Sequence, residues 1–164
     1  IIVDESITSA VGYYKYSAAA PCFSLLTLTG GSIGMGLPLS IGAALACPER
    51  PVIDFQADGS AMYTIQALWT QARESLDITT LLCANRSYKI LEGEFKRAQG
   101  RPADQDVLSL MELKRPDIDW VGISQGMGVP AEAVDTAEEL ADALTLALAE
   151  PGPHLIQVNL RSFL

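Results

Sequence analysis

Two apolar runs of strand character, residues 51–57 (PVIDFQA) and 77–84 (DITTLLCA), flank one amphipathic stretch at about residues 63–74. That stretch places Ile65, Leu68, Trp69 and Ala72 at helical spacing, which predicts a helix with those four side chains turned to a core. Strand, turn, helix and strand within about 35 residues make a βαβ unit, whose strands default to parallel pairing through a right-handed crossover. A parallel pair must be covered on both faces, so this unit commits the chain to a layered α/β architecture.

The remaining sequence extends the alternation. Residues 1–3 are apolar and end at Asp4, residues 6–16 fit a helix or a loop, and residues 23–28 are apolar and lead into TGGSIGMGLP. Four glycines within seven positions there, Gly30, Gly31, Gly34 and Gly36, mark a close backbone approach. Residues 37–47 (LPLSIGAALAC) are small and apolar all round, as in a helix packed tightly on a sheet, and Pro48 and Pro51 end it. Residues 89–115 are polar and mixed, with KILEGEFKR at 89–97 reading as a solvated helix; residues 117–127 look helical and Ala133 with Val134 suggests a short strand. Thr136 and Glu139 form a capping box for a helix running to Ala149, and the acidic residues 135–142 give it a solvated face. A Pro151-Gly152-Pro153 turn then precedes a last buried strand, residues 154–160. The expectation is one domain over residues 1–164, a three-layer α/β/α sandwich with a mainly parallel sheet. The opening IIVDES reads like a strand already under way, so the domain is expected to be a C-terminal fragment of a longer chain.

Composition narrows the function. Hydrophobic residues make up 49% and aromatics 7%, which suits a globular domain and argues against disorder. The net charge of −9 leaves no broad basic surface, so nucleic acid is not an expected partner. Any anion must be gripped locally, by backbone amides or through a metal. No apolar run reaches about 18 residues and no signal peptide is present, so no membrane partner is expected. Cys22, Cys47 and Cys83 are odd in number and lack metal-ligand spacing; they read as buried free thiols of a cytoplasmic protein.

Ligands of open parallel sheets bind where strands end and helices begin. Asp58-Gly59-Ser60 follows the first strand of the βαβ unit and Asn85-Arg86-Ser87 follows the second, with Asp58 and Asn85 27 positions apart. Both loops therefore lie at one edge of the sheet. A carboxylate, an amide oxygen and a backbone carbonyl are hard donors suited to Mg²⁺ or Ca²⁺, with phosphate or water completing the shell. Gly59 permits a close turn, and Ser60 with neighbouring amides can meet an anion. Taken alone, Asp58-Gly59-Ser60 is equally a turn with a helix cap. His154, the single histidine, reads as surface or structural, and Ile65, Leu68 and Trp69 as core.

With GGSIGMGLPLSIGAALA (residues 30–46) and DGSAMYTIQALWTQA (residues 58–72), the pattern resembles the thiamine-diphosphate-dependent enzymes, whose signature is GDGS followed one βαβ repeat later by NN. The likeness is to the acetolactate synthase and benzoylformate decarboxylase branch, and to the diphosphate-binding domain at the C-terminal end of those enzymes. It implies a lyase or transferase acting on 2-oxo acids by decarboxylation, with or without carboligation, and using thiamine diphosphate and Mg²⁺. Asp58, Asn85 and the Ser87 carbonyl would ligate the metal. Gly59, Ser60 and Tyr88 would contact the diphosphate, with residues 6–8 as further candidates. The Gly31 carbonyl would meet the pyrimidine amino group, Ser32 would line the same turn, and Ile33 would support a bent cofactor. Ile90, Leu91 and Glu94 are the substrate-pocket candidates.

The sequence departs from the family pattern at Ala57, where Gly is usual, at Ala84, where the first Asn is usual, and in residues 89–95, which lack the tryptophan of authentic acetolactate synthases. In the family the glutamate that activates the pyrimidine lies on a different, pyrimidine-binding domain. Glu5, Glu92 and Glu94 lack its context, so no catalytic residue is assigned here and the isolated chain is expected to be inactive. Two subunits share each site in the family, which implies a homodimer or homotetramer. Two alternatives stay open: the small subunit of a two-chain decarboxylase, and a cofactor-free structural relative.

Overall fold

A computed structural model describes residues 1–160. Its centre is a sheet of six parallel strands: β1 (Ile2–Glu5), β2 (Leu25–Thr27), β3 (Val52–Ala57), β4 (Ile78–Ala84), β5 (Ala131–Val134) and β6 (His154–Asn159). Their spatial order is β2-β1-β3-β4-β6-β5. The βαβ unit read from the sequence is present, with β3 and β4 adjacent, parallel and in register from Val52↔Ile78 to Ala57↔Cys83. The chain winds one way from β1 to β2 and the other way from β3 to β4. That reversal opens a crevice between the carboxyl ends of β1 and β3, the place where doubly wound sheets bind ligands.

Eight α-helices surround the sheet among the described residues: α1 (Ala10–Tyr16), α2 (Gly36–Ala46), α3 (Asp58–Ala61), α4 (Ala67–Arg73), α5 (Lys89–Gln99), α6 (Gln105–Met111), α7 (Trp120–Gly126) and α8 (Ala137–Ala149). One sheet face buries Leu37 of α2, Leu68 of α4 and Trp120 of α7 against Leu82, Ala84 and Leu155. Further along the same face, Ala43 and Ala44 of α2 pack on Val3, Val52 and Ile78. The small residues of α2 let it lie close to the strands. The other face packs Ala143 and Ala147 of α8 on Leu81 and Ile156, and Tyr13 of α1 lies 5.1 Å from the Phe55 ring. Truncating a fully buried side chain such as Leu68 or Leu82 to Ala would cost about 2–5 kcal/mol.

The capping box of α8 forms as expected: the Glu139 amide donates to Thr136 Oγ1 at 3.2 Å while Glu139 Oε2 accepts from the Thr136 amide at 3.1 Å. The segment read as mixed and polar forms α5 and α6, neither of which has a buried residue.

Three expectations are corrected. The helix expected at residues 63–74 starts later: residues 62–66 are turns and α4 covers only Ala67–Arg73, while a separate short helix, α3, precedes the expected span. The chain turns first at the strand end, and only then rises to cover the sheet. Trp69 is not core: it is 54% exposed, with the Arg73 guanidinium over its ring at 5.5 Å. The cysteines are all free, but only Cys83 is buried; Cys22 is exposed and Cys47 half-buried.

Candidate active site

The crevice at the carboxyl edge is lined by Ile7 and Thr8 after β1, Ile33 from the glycine segment, Ala57 to Ser60 after β3, and Asn85 and Ser87 to Ile90 after β4. Asp58, Gly59 and Ser60 are buried at its floor. Strand β3 delivers Asp58, because its six residues run the depth of the sheet and α3 begins where the ladder stops. The backbone at Ala57 is extended, with φ −80° and ψ 142°, a conformation open to any residue; no glycine is needed there.

The Asp58 carboxylate is held by the backbone on both sides. The Gly59 amide donates to Oδ1 at 2.8 Å, and the Arg86 amide, from the loop after β4, donates to Oδ2 at 2.6 Å. Arg86 adopts a positive φ of 59°, which turns that amide toward Asp58. In the same loop, Asn85 Oδ1 accepts from the Ser87 amide at 2.9 Å. Two oxygen-bearing side chains from neighbouring strands are therefore presented together, each steadied by one loop. Burial raises the Asp58 pKa, and the amide bonds from Arg86 and Gly59 oppose the rise.

Tyr88 closes one side. Its ring lies so near Gly59 that an added Cβ would sit 2.6 Å from Cε1 and 2.7 Å from Cδ1, so only glycine fits beneath it. The ring is placed by the backbone, since the Tyr88 amide donates to the Met111 carbonyl at 2.8 Å and anchors the start of α5. The glycine segment faces it across the crevice. Gly31 has a φ of 70°, and Ile33 is 38% exposed at the opening.

Of the substrate-pocket candidates, Ile90 borders the crevice, whereas Leu91 and Glu94 do not; Glu94 pairs with Arg97 on the outer side of α5. His154 lies at the start of β6, at the opposite edge of the sheet, with Nδ1 3.2 Å from the Gly152 carbonyl.

Two structural contributors escaped the reading of the sequence. One is Arg86, whose amide bridges the loops and whose guanidinium contacts Asp117 at 3.0 Å and Asn159 at 3.1 Å. Its position between Asn85 and Ser87 was the available signal. The other is Glu5, whose buried carboxylate accepts backbone amides from the glycine segment. Nothing local to IIVDES indicates a contact about thirty residues away.

A switch-point crevice with an acid, an amide and a glycine-rich wall defines the class: a doubly wound α/β domain that binds an anionic cofactor at its carboxyl edge. Residues 8–158 match the family model for the C-terminal TPP-binding domain of thiamine pyrophosphate enzymes, and the chain belongs to that family. It is 53% identical over 159 residues to the "Putative acetolactate synthase large subunit IlvX" of Mycobacterium tuberculosis, covering 96% of this chain and 31% of that protein. It is 34% identical over 158 residues to benzoylformate decarboxylase of Pseudomonas aeruginosa, covering 96% and 29%. Among solved structures, the 4-hydroxybenzoylformate decarboxylase of Rhodococcus jostii matches with a TM-score of 0.74 and 36% identity, over 83% of this chain and 24% of that one. Benzoylformate decarboxylase of Polynucleobacter necessarius matches with a TM-score of 0.80 and 25% identity, over 98% and 30%. The chain thus spans under a third of the length of these relatives.

Proposed function

We propose that this chain is the diphosphate-binding half of the active site of an enzyme that decarboxylates 2-oxo acids, with or without carboligation. The observation that carries this reading is the meeting of Asp58 and Asn85 at the ends of adjacent strands, opposite Ile33. Asp58, Asn85 and the Ser87 carbonyl hold Mg²⁺. Gly59, Ser60 and Tyr88 contact the diphosphate, and Gly31, Ser32 and Ile33 receive the pyrimidine.

The residues present fit such a group. Their donors are hard oxygens, as Mg²⁺ requires. The Asp58 oxygens each accept one amide and keep further lone pairs for a cation. In an acidic chain a metal also neutralises the phosphates, since Lys89, the cationic side chain that lines the crevice, is paired with Glu92. When bound, thiamine diphosphate supplies the electron sink that loss of CO₂ from a 2-oxo acid needs. The chain's own part is to hold the metal, fix the diphosphate and keep the apolar wall at Ile33 against the cofactor.

None of the three glutamates considered for the pyrimidine, Glu5, Glu92 and Glu94, is free to activate it. Glu5 is spent on amides, Glu92 on Ser87 and Lys89, and Glu94 on Arg97. That carboxylate therefore comes from a pyrimidine-binding domain of the same or a partner chain, and a homodimer or homotetramer brings the halves together. Ile90 is the pocket residue nearest the substrate, with Leu91 and Glu94 further along α5. Three free thiols suit a cytoplasmic setting.

Calorimetric titration of the assembled protein with thiamine diphosphate, with and without Mg²⁺, tests the reading. Metal-dependent binding is expected, and its absence would leave a structural relative without cofactor. The chain on its own is expected to turn over neither pyruvate nor benzoylformate, and measurable turnover would overturn the division of the site.

A further inference from the structure

Glu5 ends β1 and is 1% exposed. Its Oε1 accepts from the amides of Gly34 at 2.6 Å and Met35 at 3.3 Å. Its Oε2 accepts from the Gly36 amide at 2.7 Å and from Gln56 Nε2 at 3.1 Å. Three successive backbone donors and one side-chain amide thus converge on a single buried carboxylate. Burying that charge is expensive unless its lone pairs are filled, and here charge-assisted bonds fill them. The donors open α2, an 11-residue helix whose positive end adds to the attraction.

The fit is close. A Cβ on Gly36 would overlap Gln56 Oε1 and lie 2.9 Å from Glu5 Oε2. From the other side, Thr64 Oγ1 donates to the Gly34 carbonyl at 2.8 Å. Gly34 is therefore fastened at both its amide and its carbonyl, one residue after Ile33. The diphosphate end of the crevice is fastened separately, by the amides of Gly59 and Arg86 on Asp58.

We propose that Glu5 is a positioning residue for the pyrimidine side of the cofactor: its carboxylate sets where Gly31, Ser32 and Ile33 stand, and it has no part in holding the diphosphate. This rests on the proposed function. Glu5→Gln preserves shape but turns an acceptor into a donor that faces backbone donors. At least one amide of the glycine segment then loses its partner, and the wall carrying Ile33 moves.

The test uses the assembled protein with Mg²⁺, titrated separately with thiamine diphosphate and with inorganic pyrophosphate. Glu5→Gln is expected to weaken thiamine diphosphate at least about tenfold and to leave pyrophosphate within about twofold, since only the first ligand reaches the glycine wall. Thr64→Val removes the bond on the other side of Gly34 and is expected to act in the same sense by about two- to fivefold. It also serves as the deciding variant where Glu5→Gln does not fold. Equal losses for both ligands would assign Glu5 a general structural role, and an unchanged affinity for thiamine diphosphate would likewise overturn the positioning role. Wild-type protein that binds neither ligand would instead remove the proposed function, on which Glu5's role depends.

Discussion

Asp54 and Asp58 lie four residues apart around the end of the same strand, and both are sealed from solvent at 0% and 1% exposure. Asp54 sits inside β3, in register between Val3 and Thr80, and neither of its carboxylate oxygens has a hydrogen-bond partner. Asp58 sits where the ladder stops, and loop amides bond both of its oxygens. Burial pushes both pKa values up, Asp54 well above the ordinary carboxylate value, with the charges of Glu5 and Asp4 adding to the rise; for Asp58 the amides oppose it. A buried acid inside a strand finds its neighbours' amides already used by the ladder, whereas one at the strand end meets amides that are still free. Only the second has its charge met by hydrogen-bond donors.

The largest expected effect breaks that contrast at the strand end. Asp58→Ala should lower Mg²⁺-dependent affinity for thiamine diphosphate by at least about a hundredfold, because the proposed metal site would lose its one carboxylate. Calorimetry that returned the wild-type affinity would take Asp58 out of the metal site. Gly59→Ala comes next. The new methyl would press on the Tyr88 ring at 2.6 Å, so a destabilisation of about 1–3 kcal/mol is expected, read by urea unfolding. Adding Tyr88→Ala should recover part of it in a double-mutant cycle, and strictly additive losses would mean that the ring is not what Gly59 avoids.

Asp54 sharpens the comparison through pH. Burial lifts its folded pKa well above the usual carboxylate value of 3.8, so the folded state binds more protons than the unfolded state across that window. Stability from this group is complete below about pH 4 and falls as pH rises toward the folded pKa, by up to ~1.4 kcal/mol per pH unit. Asp54→Asn should flatten that slope in unfolding curves taken between acid and neutral pH, and should leave cofactor affinity unchanged. A variant with the wild-type slope would show that Asp54 is not the group responsible. The smallest effect belongs to the opposite edge: His154→Ala should not alter cofactor binding, and a change above about twofold would mean that the two sheet edges are coupled.

The strand-end site was legible because its parts are local in sequence. Two apolar runs announce β3 and β4, and the residues just after them must share an edge once the strands pair in parallel. The helix break at residues 62–66 was not legible, because the apolar spacing of Ile65, Leu68 and Trp69 runs across it. Tertiary packing there buries Leu68 and leaves Trp69 outside. Helix α5 was legible as a solvated helix at residues 89–97, whereas α6, which buries no residue, was lost in the polar stretch that follows. Glu5 was hidden for a different reason. Its carboxylate is recognised by backbone amides, and backbone amides carry no sequence signature.

The register between β3 and β4 also has a consequence for how such a site can vary. Ala57 stands opposite Cys83, so Asp58 and Asn85 are aligned by the ladder and not by the length of chain that joins them. The turns at residues 62–66 do not set that alignment, and α4 beyond them is held by its own packing in the core. Residues could be inserted or removed at 62–66 without disturbing the meeting of the two side chains, while a one-residue slip in the ladder would part them. The interval that first identifies the motif is therefore its most elastic property, and the pairing that the letters do not spell out is its most rigid one.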